Sequence, residues 1–162
     1  MESQTTQSKV QVIQEFKDDY RFLSNFYYLE KPIKYDGLHY PTVEHFYVAM
    51  KTTSKTLHEA VSKHPLKGLK AFGKTFELRD DWDTIKTSVM LYGLLYKFSE
   101  HNPSIRKALI DTGDAELVEG NYWNDTYWGV SLKTGEGQNK LGKMLMNVRT
   151  LITHERTRNR NN

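Results

Sequence analysis

Apolar residues recur at two different periods along the chain, and the change of period marks out its elements. Val10 to Phe16 alternates apolar with polar positions, which predicts a strand. Residues 32–40 place Asp36 and Gly37 between two short β-prone runs, the pattern of a hairpin with a two-residue turn. From Val43 the period becomes helical: Val43, Phe46, Tyr47 and Met50 fall at i, i+3, i+4 and i+7, just after Thr42, whose hydroxyl can cap a first turn. This spacing predicts a helix over about 42–52. Leu57, Ala60 and Val61 predict a short helix before Pro65, and Leu66 to Phe72 another that stops at Gly73. Trp82, Ile85, Val89, Tyr92 and Tyr96 alternate steps of three and four, predicting a long helix with Asp80 and Asp81 at the positive end of its dipole. Asn102 and Pro103 open a further helix that Thr112 and Gly113 close. Leu141, Leu145, Val148 and Ile152 mark the last one. The predicted fold is mainly α, in the α+β class: a compact helical domain with a small β element near its N-terminal end.

Composition narrows this picture. A chain of 162 residues has the size of one domain, and its 38% hydrophobic content, with 10 Tyr, 7 Phe and 3 Trp, supplies a core without covalent staples. No repeat and no Pro-, Gly- or Ser-rich linker divides it. Residues 9–154 are read as a single domain, 1–8 as a disordered N-terminus and 155–162 as a basic, flexible tail. The absence of cysteine excludes disulfides, thiolate nucleophiles and cysteine-bound metals. The polar start and the lack of any run near the roughly 18 apolar residues of a spanning helix predict a soluble, unexported, cytoplasmic protein with no membrane partner. Net charge is +3, and Arg156, Arg158 and Arg160 against Glu155 place two of those charges in the tail. The remainder is too nearly neutral to suit a dedicated nucleic-acid binder.

Candidate chemistry sits in three places. Residues 121–129 and 135–140 crowd amides, acids and glycines around Trp123 and Trp128. Aromatic faces beside amides suit a sugar or a planar base, and glycines admit backbone N–H groups to a phosphate, although a polar loop with its tryptophans tucked inward has the same composition. On the helix at 42–52, Glu44 and Lys51 are seven positions apart and share one azimuth, about 100° from the centre of the apolar stripe. In a cleft Glu44 can act as a base or stabilise positive charge, and a partly dry Lys51 can attack a sugar aldehyde carbon; on an open surface the two form a solvated ion pair. Within Phe22 to Phe26, large apolar neighbours pin Ser24 and Asn25, whose amide either grips a ribose hydroxyl or closes a simple turn. Histidines 39, 45, 58, 64, 101 and 154 show no metal-site spacing, and no phosphate-loop, dinucleotide or nucleophile-elbow motif occurs, so no metal and no cofactor is expected.

As a set, these segments resemble the NADAR family, the YbiA-like N-glycosidases. The residues that carry the resemblance are Phe22 to Phe26, the Asp36–Gly37 turn, Tyr40 to Tyr47 with Lys51, Arg79 to Trp82 before Met90, and Lys97 with Phe98. Leu117 to Glu119, Asn124 with Asp125, Trp128 with Gly129, Gly137 to Asn139, Leu141 with Gly142, Leu145 with Met146, and Arg149 continue it over about residues 16–152. Val48, Met50 and Val130 depart from the family's pattern, which bears on substrate preference.

The resemblance implies a hydrolase that cleaves an N-glycosidic bond between ribose and a nitrogenous group. Its expected substrate is a phosphorylated or ADP-bearing riboside: an early riboflavin-pathway ribosylamino-pyrimidine phosphate, or ADP-ribose attached to guanine in nucleic acid. It implies Glu44 as the key carboxylate, Asp125 as its companion and Lys51 as a further catalytic group that can form a Schiff base. Asn25, Trp82, Asn124, Trp128, Gly129 and Asn139 are the expected substrate-binding residues. A non-catalytic binder of ADP-ribose or a nucleotide would use the same groups.

Overall fold

A computed structural model describes residues 9–162; the expected disordered N-terminus, 1–8, lies outside the described residues. In chain order the elements are β1 (Val12–Ile13), a 3-10 helix (Asp18–Leu23), β2 (Ile33–Tyr35), β3 (Leu38–Tyr40), α1 (Val43–Ala49), α2 (Lys55–Lys63), α3 (Leu69–Gly73), α4 (Trp82–Lys97), α5 (Pro103–Asp111), β4 (Glu116–Leu117), β5 (Gly120–Asn121), β6 (Val130–Ser131) and α6 (Lys140–Arg160). The strands form three two-stranded ladders: β1 with β4 and β5 with β6, both parallel, and β2 with β3, antiparallel. The hairpin turns at Asp36 (φ 48°) and Gly37 (φ 78°), both left-handed, as a two-residue turn between twisted strands requires. The class is α+β and dominated by helix, as the periodicity predicts.

Helix α1 is the centre of the molecule. Every residue from Val43 to Ala49 is buried, including Glu44 and His45. Thr42 caps it by accepting from the His45 backbone N–H (3.1 Å). The His45 ring then braces it, with Nδ1 beside the Thr42 hydroxyl (2.7 Å) and Nε2 donating to the His64 carbonyl at the end of α2 (2.8 Å). Burial lowers the His45 pKa, which keeps this strut neutral. Helices α2, α3 and α4 pack around α1.

Two stretches depart from the sequence expectation. In α4 the buried face is Trp82, Met90, Gly93, Leu94 and Lys97, whereas Tyr92 is exposed and Ile85, Val89 and Tyr96 are only partly covered. The reason is the crossing with α1: a Cβ on Gly93 would stand 3.2 Å from Val43 Cγ1, so the smallest residue marks the contact. At the other end, the tail expected to be flexible is helical, because α6 continues through residues 155–160. Arg106 Nη2 donates to Glu155 Oε2 (2.9 Å), the Thr153 and Thr157 hydroxyls donate to carbonyls four residues back, and Arg158 and Arg160 face the negative end of the helix dipole. Near its start α6 touches β4 closely, since a Cβ on Gly142 would meet the Leu117 carbonyl oxygen. Farther along, Arg149 Nη1 donates to Thr112 Oγ1 (3.0 Å) and the Ala115 carbonyl (2.8 Å), tying α6 to the segment between α5 and β4. Among the described residues no helix is long and apolar enough to cross a membrane.

Candidate active site

A cavity of about 230 Å³ opens between the Ser24–Phe26 turn, α1, α3, α4 and the loop that follows β4. Its floor is Glu44, in the first turn of α1, whose backbone N–H donates to the Asn25 carbonyl (3.1 Å). Burial raises the Glu44 pKa, Asp125 raises it further, and the Lys70 and Lys51 charges oppose the rise. Lys51 follows the C-terminal turn of α1; burial lowers its pKa, Glu44 opposes this, and Lys70 and Lys74 reinforce it. Its ammonium lies 5.4 Å from the centre of the Tyr47 ring. Tyr47 in turn takes a hydrogen bond on its hydroxyl from Trp128 Nε1 (3.2 Å), and the two rings meet edge to face. Lys70, from α3, hangs over the rings of Phe26 (4.9 Å) and the exposed Trp123 (5.5 Å) at the rim.

The acidic wall is built by one buried amide. Asn121 Nδ2 donates to the Asp125 carbonyl (2.9 Å) and to Glu119 Oε2 (3.1 Å), while Asn121 Oδ1 accepts from the Asp125 N–H (3.0 Å). Asp125 Oδ1 then accepts from the Tyr127 and Trp128 N–H groups (3.1 and 2.9 Å), fixing the turn that carries Trp128. Opposite, the Ser24–Asn25 turn is clamped by Lys97, fully buried in α4, whose Nζ donates to the Ser24 carbonyl (2.7 Å). Burial pushes the Lys97 pKa down to about 7. Asn25 is also buried, and its Oδ1 has no hydrogen-bond partner among the described residues. That oxygen is itself enclosed, so a ligand hydroxyl or N–H reaches it only when the Asn25 amide turns toward the cavity it lines.

Of the residues expected from sequence, Asn25, Glu44, Lys51, Asp125 and Trp128 converge on this cavity. The other four do not line it. Trp82 is buried behind Tyr47, ring centroids 5.0 Å apart. Asn124 is exposed, in a left-handed turn (φ 63°). Gly129 lies against Glu119, where a Cβ would stand 2.1 Å from both its carbonyl oxygen and Oε2. Asn139 uses its side chain on the backbone, accepting from Glu119 N–H (3.0 Å) and donating to the Leu117 carbonyl (2.9 Å). The cavity adds Tyr47, Lys70, Lys74 and Glu119, which sequence reasoning had not placed there. The apolar stripe of α1 claims Tyr47 for the core, Lys70 on the five-residue α3 and Lys74 just beyond it carry no sequence signal, and Glu119 lies within a motif near the loop rich in acids and amides. Among the described residues, no three His, Cys, Asp or Glu side chains are placed to hold a metal ion.

Residues 12–153 match the NADAR domain. N-glycosidase YbiA of Escherichia coli K12 is 36% identical over 142 residues, 86% of each chain. The riboflavin biosynthesis protein VVA0006 of Vibrio vulnificus is 35% identical over 136 residues, which are 82% of this chain and 35% of that longer protein. The NMR structure of E. coli YbiA superposes with a TM-score of 0.79 at 34% identity, covering 95% of this chain and 93% of that one. With the domain match spanning nearly the whole described chain and YbiA 36% identical over most of it, the chain belongs to the NADAR family.

Proposed function

We propose that the protein is an N-glycosidase that hydrolyses the C1′–N bond of a phosphorylated riboside, with Glu44 as its key carboxylate. The observation that carries this reading is one cavity in which a buried glutamate faces two lysines and two further carboxyls beneath an aromatic rim. Cleaving C1′–N builds positive charge on the ribose, and a carboxylate held in low dielectric stabilises that charge or takes a proton from the attacking water. Lys51, Lys70 and Lys74 gather positive charge toward one side of the cavity, as an anionic phosphate requires. Asn25, which lines the cavity, is the candidate amide for a sugar hydroxyl. Lys51, made less basic by burial, is the candidate amine for a Schiff-base route, in which it takes the ring-opened C1′ and water later releases it.

An early riboflavin-pathway ribosylamino-pyrimidine phosphate fits this charge pattern, and the relative named for riboflavin biosynthesis supports that choice. The exposed Trp123 beside Lys70 favours a second reading, ADP-ribose on guanine in nucleic acid, because a rim stacking platform with a cation suits a group outside the cavity. Free-base release from both substrates separates the two, and a version of the pyrimidine riboside lacking its 5′-phosphate tests the lysines. Turnover of the phosphorylated riboside with a large loss on removing the phosphate is expected. Turnover of the modified oligonucleotide alone, falling steeply with salt, selects the second reading. Binding without turnover of either contradicts the proposal and leaves a non-catalytic binder.

A further inference from the structure

Resting on the N-glycosidase reading, we propose that Glu119 is a second catalytic carboxyl, the proton donor to the nitrogen that leaves from C1′. The three carboxyls of the cavity are held in different ways. Glu44 lies deep, facing the positive charges of both Lys51 and Lys70. Asp125 has one oxygen fixed by two backbone N–H groups. Glu119 has one oxygen on Asn121 Nδ2, and its other oxygen, Oε1, has no hydrogen-bond partner among the described residues. Its carboxyl lies in a notch over Gly129 that any side chain would fill, so the Trp128–Gly129 step holds this group against the cavity wall. Burial pushes its pKa up to about 7, where an acid can hold a proton and still release it; the Asp125 and Glu44 charges act in the same direction, and the Asn121 hydrogen bond and the Lys70 charge oppose the rise.

The division of labour balances. The C1′–N bond breaks with its electron pair on nitrogen, and that nitrogen takes the proton from Glu119. Water adds to C1′ and gives a proton to Glu44, and exchange with solvent restores both groups. The sum is riboside plus water to free sugar plus the neutral free base. Two carboxyls with separated roles are the general solution for glycosidic cleavage. Asp125 then serves to set the acidic wall and orient the turn.

The test compares wild type with Glu119→Gln, whose amide can still accept from Asn121, on two ribosides bearing a 5′-phosphate: one with an aminopyrimidine leaving group and one with 4-nitrophenolate, which departs without acid. Release of the aminopyrimidine is expected to slow by at least about 100-fold, and release of nitrophenolate by less than about threefold. A fall in kcat/KM above pH 7 is expected in wild type, absent from Glu119→Gln and retained in Glu119→Asp, which keeps the acid. Equal slowing on both substrates, or an unchanged alkaline limb in Glu119→Gln, overturns the assignment while leaving the N-glycosidase reading intact. A wild type that turns over neither riboside overturns both.

Discussion

A seven-residue separation on the predicted helix puts Glu44 and Lys51 at one azimuth, and their pairing is legible in the chain; the structure ends α1 at Ala49, so Lys51 reaches the cavity from the turn that follows, its N–H bonded to the Val48 carbonyl. Glu119 and Lys70 are not legible in this way, because they arrive from a loop and from a short helix that only tertiary packing brings alongside α1. Lys97 is the clearest case of a residue whose role is invisible before folding. A pattern of apolar positions assigns a lysine to solvent, yet this one is fully buried with a single backbone acceptor. Its burial links stability to pH. The unfolded chain keeps the Lys97 proton up to about pH 10.5, and the folded chain releases it near 7. Between those values the unfolded state binds more protons, so stability rises with pH, by at most about 1.4 kcal/mol per unit, and below pH 7 this contribution to the slope disappears. Urea unfolding of wild type and Lys97→Met from pH 6 to 9.5 checks this. The expected result is a rise above pH 7 in wild type that is absent from the variant, and parallel curves contradict it.

At the scale of elements, the long regular pieces are legible and the short ones are not. Thr42, Pro103 and the Asp36–Gly37 turn give their elements away through local chemistry, whereas Asn102 makes no side-chain cap bond and spends its amide on the Lys31 backbone. The ladders of β4, β5 and β6 are each two residues long, too short for any alternation to register. They exist because glycines let chains approach. Gly120 lies so near the Gln14 carbonyl, and Gly129 so near the Glu119 carbonyl, that a Cβ at either would stand 2.1 Å from that oxygen. Gly129→Ala therefore collides with the Glu119 backbone carbonyl, which no rotamer change relieves, and displaces the Glu119 carboxyl from its notch. A loss of about 2–3 kcal/mol in unfolding free energy is expected, with a fall in activity larger than that of a surface variant. A Gly129→Ala protein with wild-type stability and activity would show that this notch is not held as described.

For the whole molecule, one continuous core runs from the β2–β3 hairpin through α1 and α4 to α6, and the cavity is the gap it leaves under the acidic loop. The fold class was legible from periodicity alone. The extent of α6 was not, because its last turns are polar and are held by Arg106 and by helical threonine bonds rather than by an apolar stripe. That helix carries Arg156, Arg158 and Arg160 on an ordered rod, while the cavity gathers its own lysines separately. The account as a whole stands on Glu44, whose replacement by Gln keeps shape and removes charge. The most direct measurement is kcat/KM for free-base release from a ribosylamino-pyrimidine phosphate by wild type and Glu44→Gln, with thermal unfolding recorded for both. The account predicts a loss of at least about 1000-fold in a variant that remains folded. Turnover by the folded variant at the wild-type rate would contradict it.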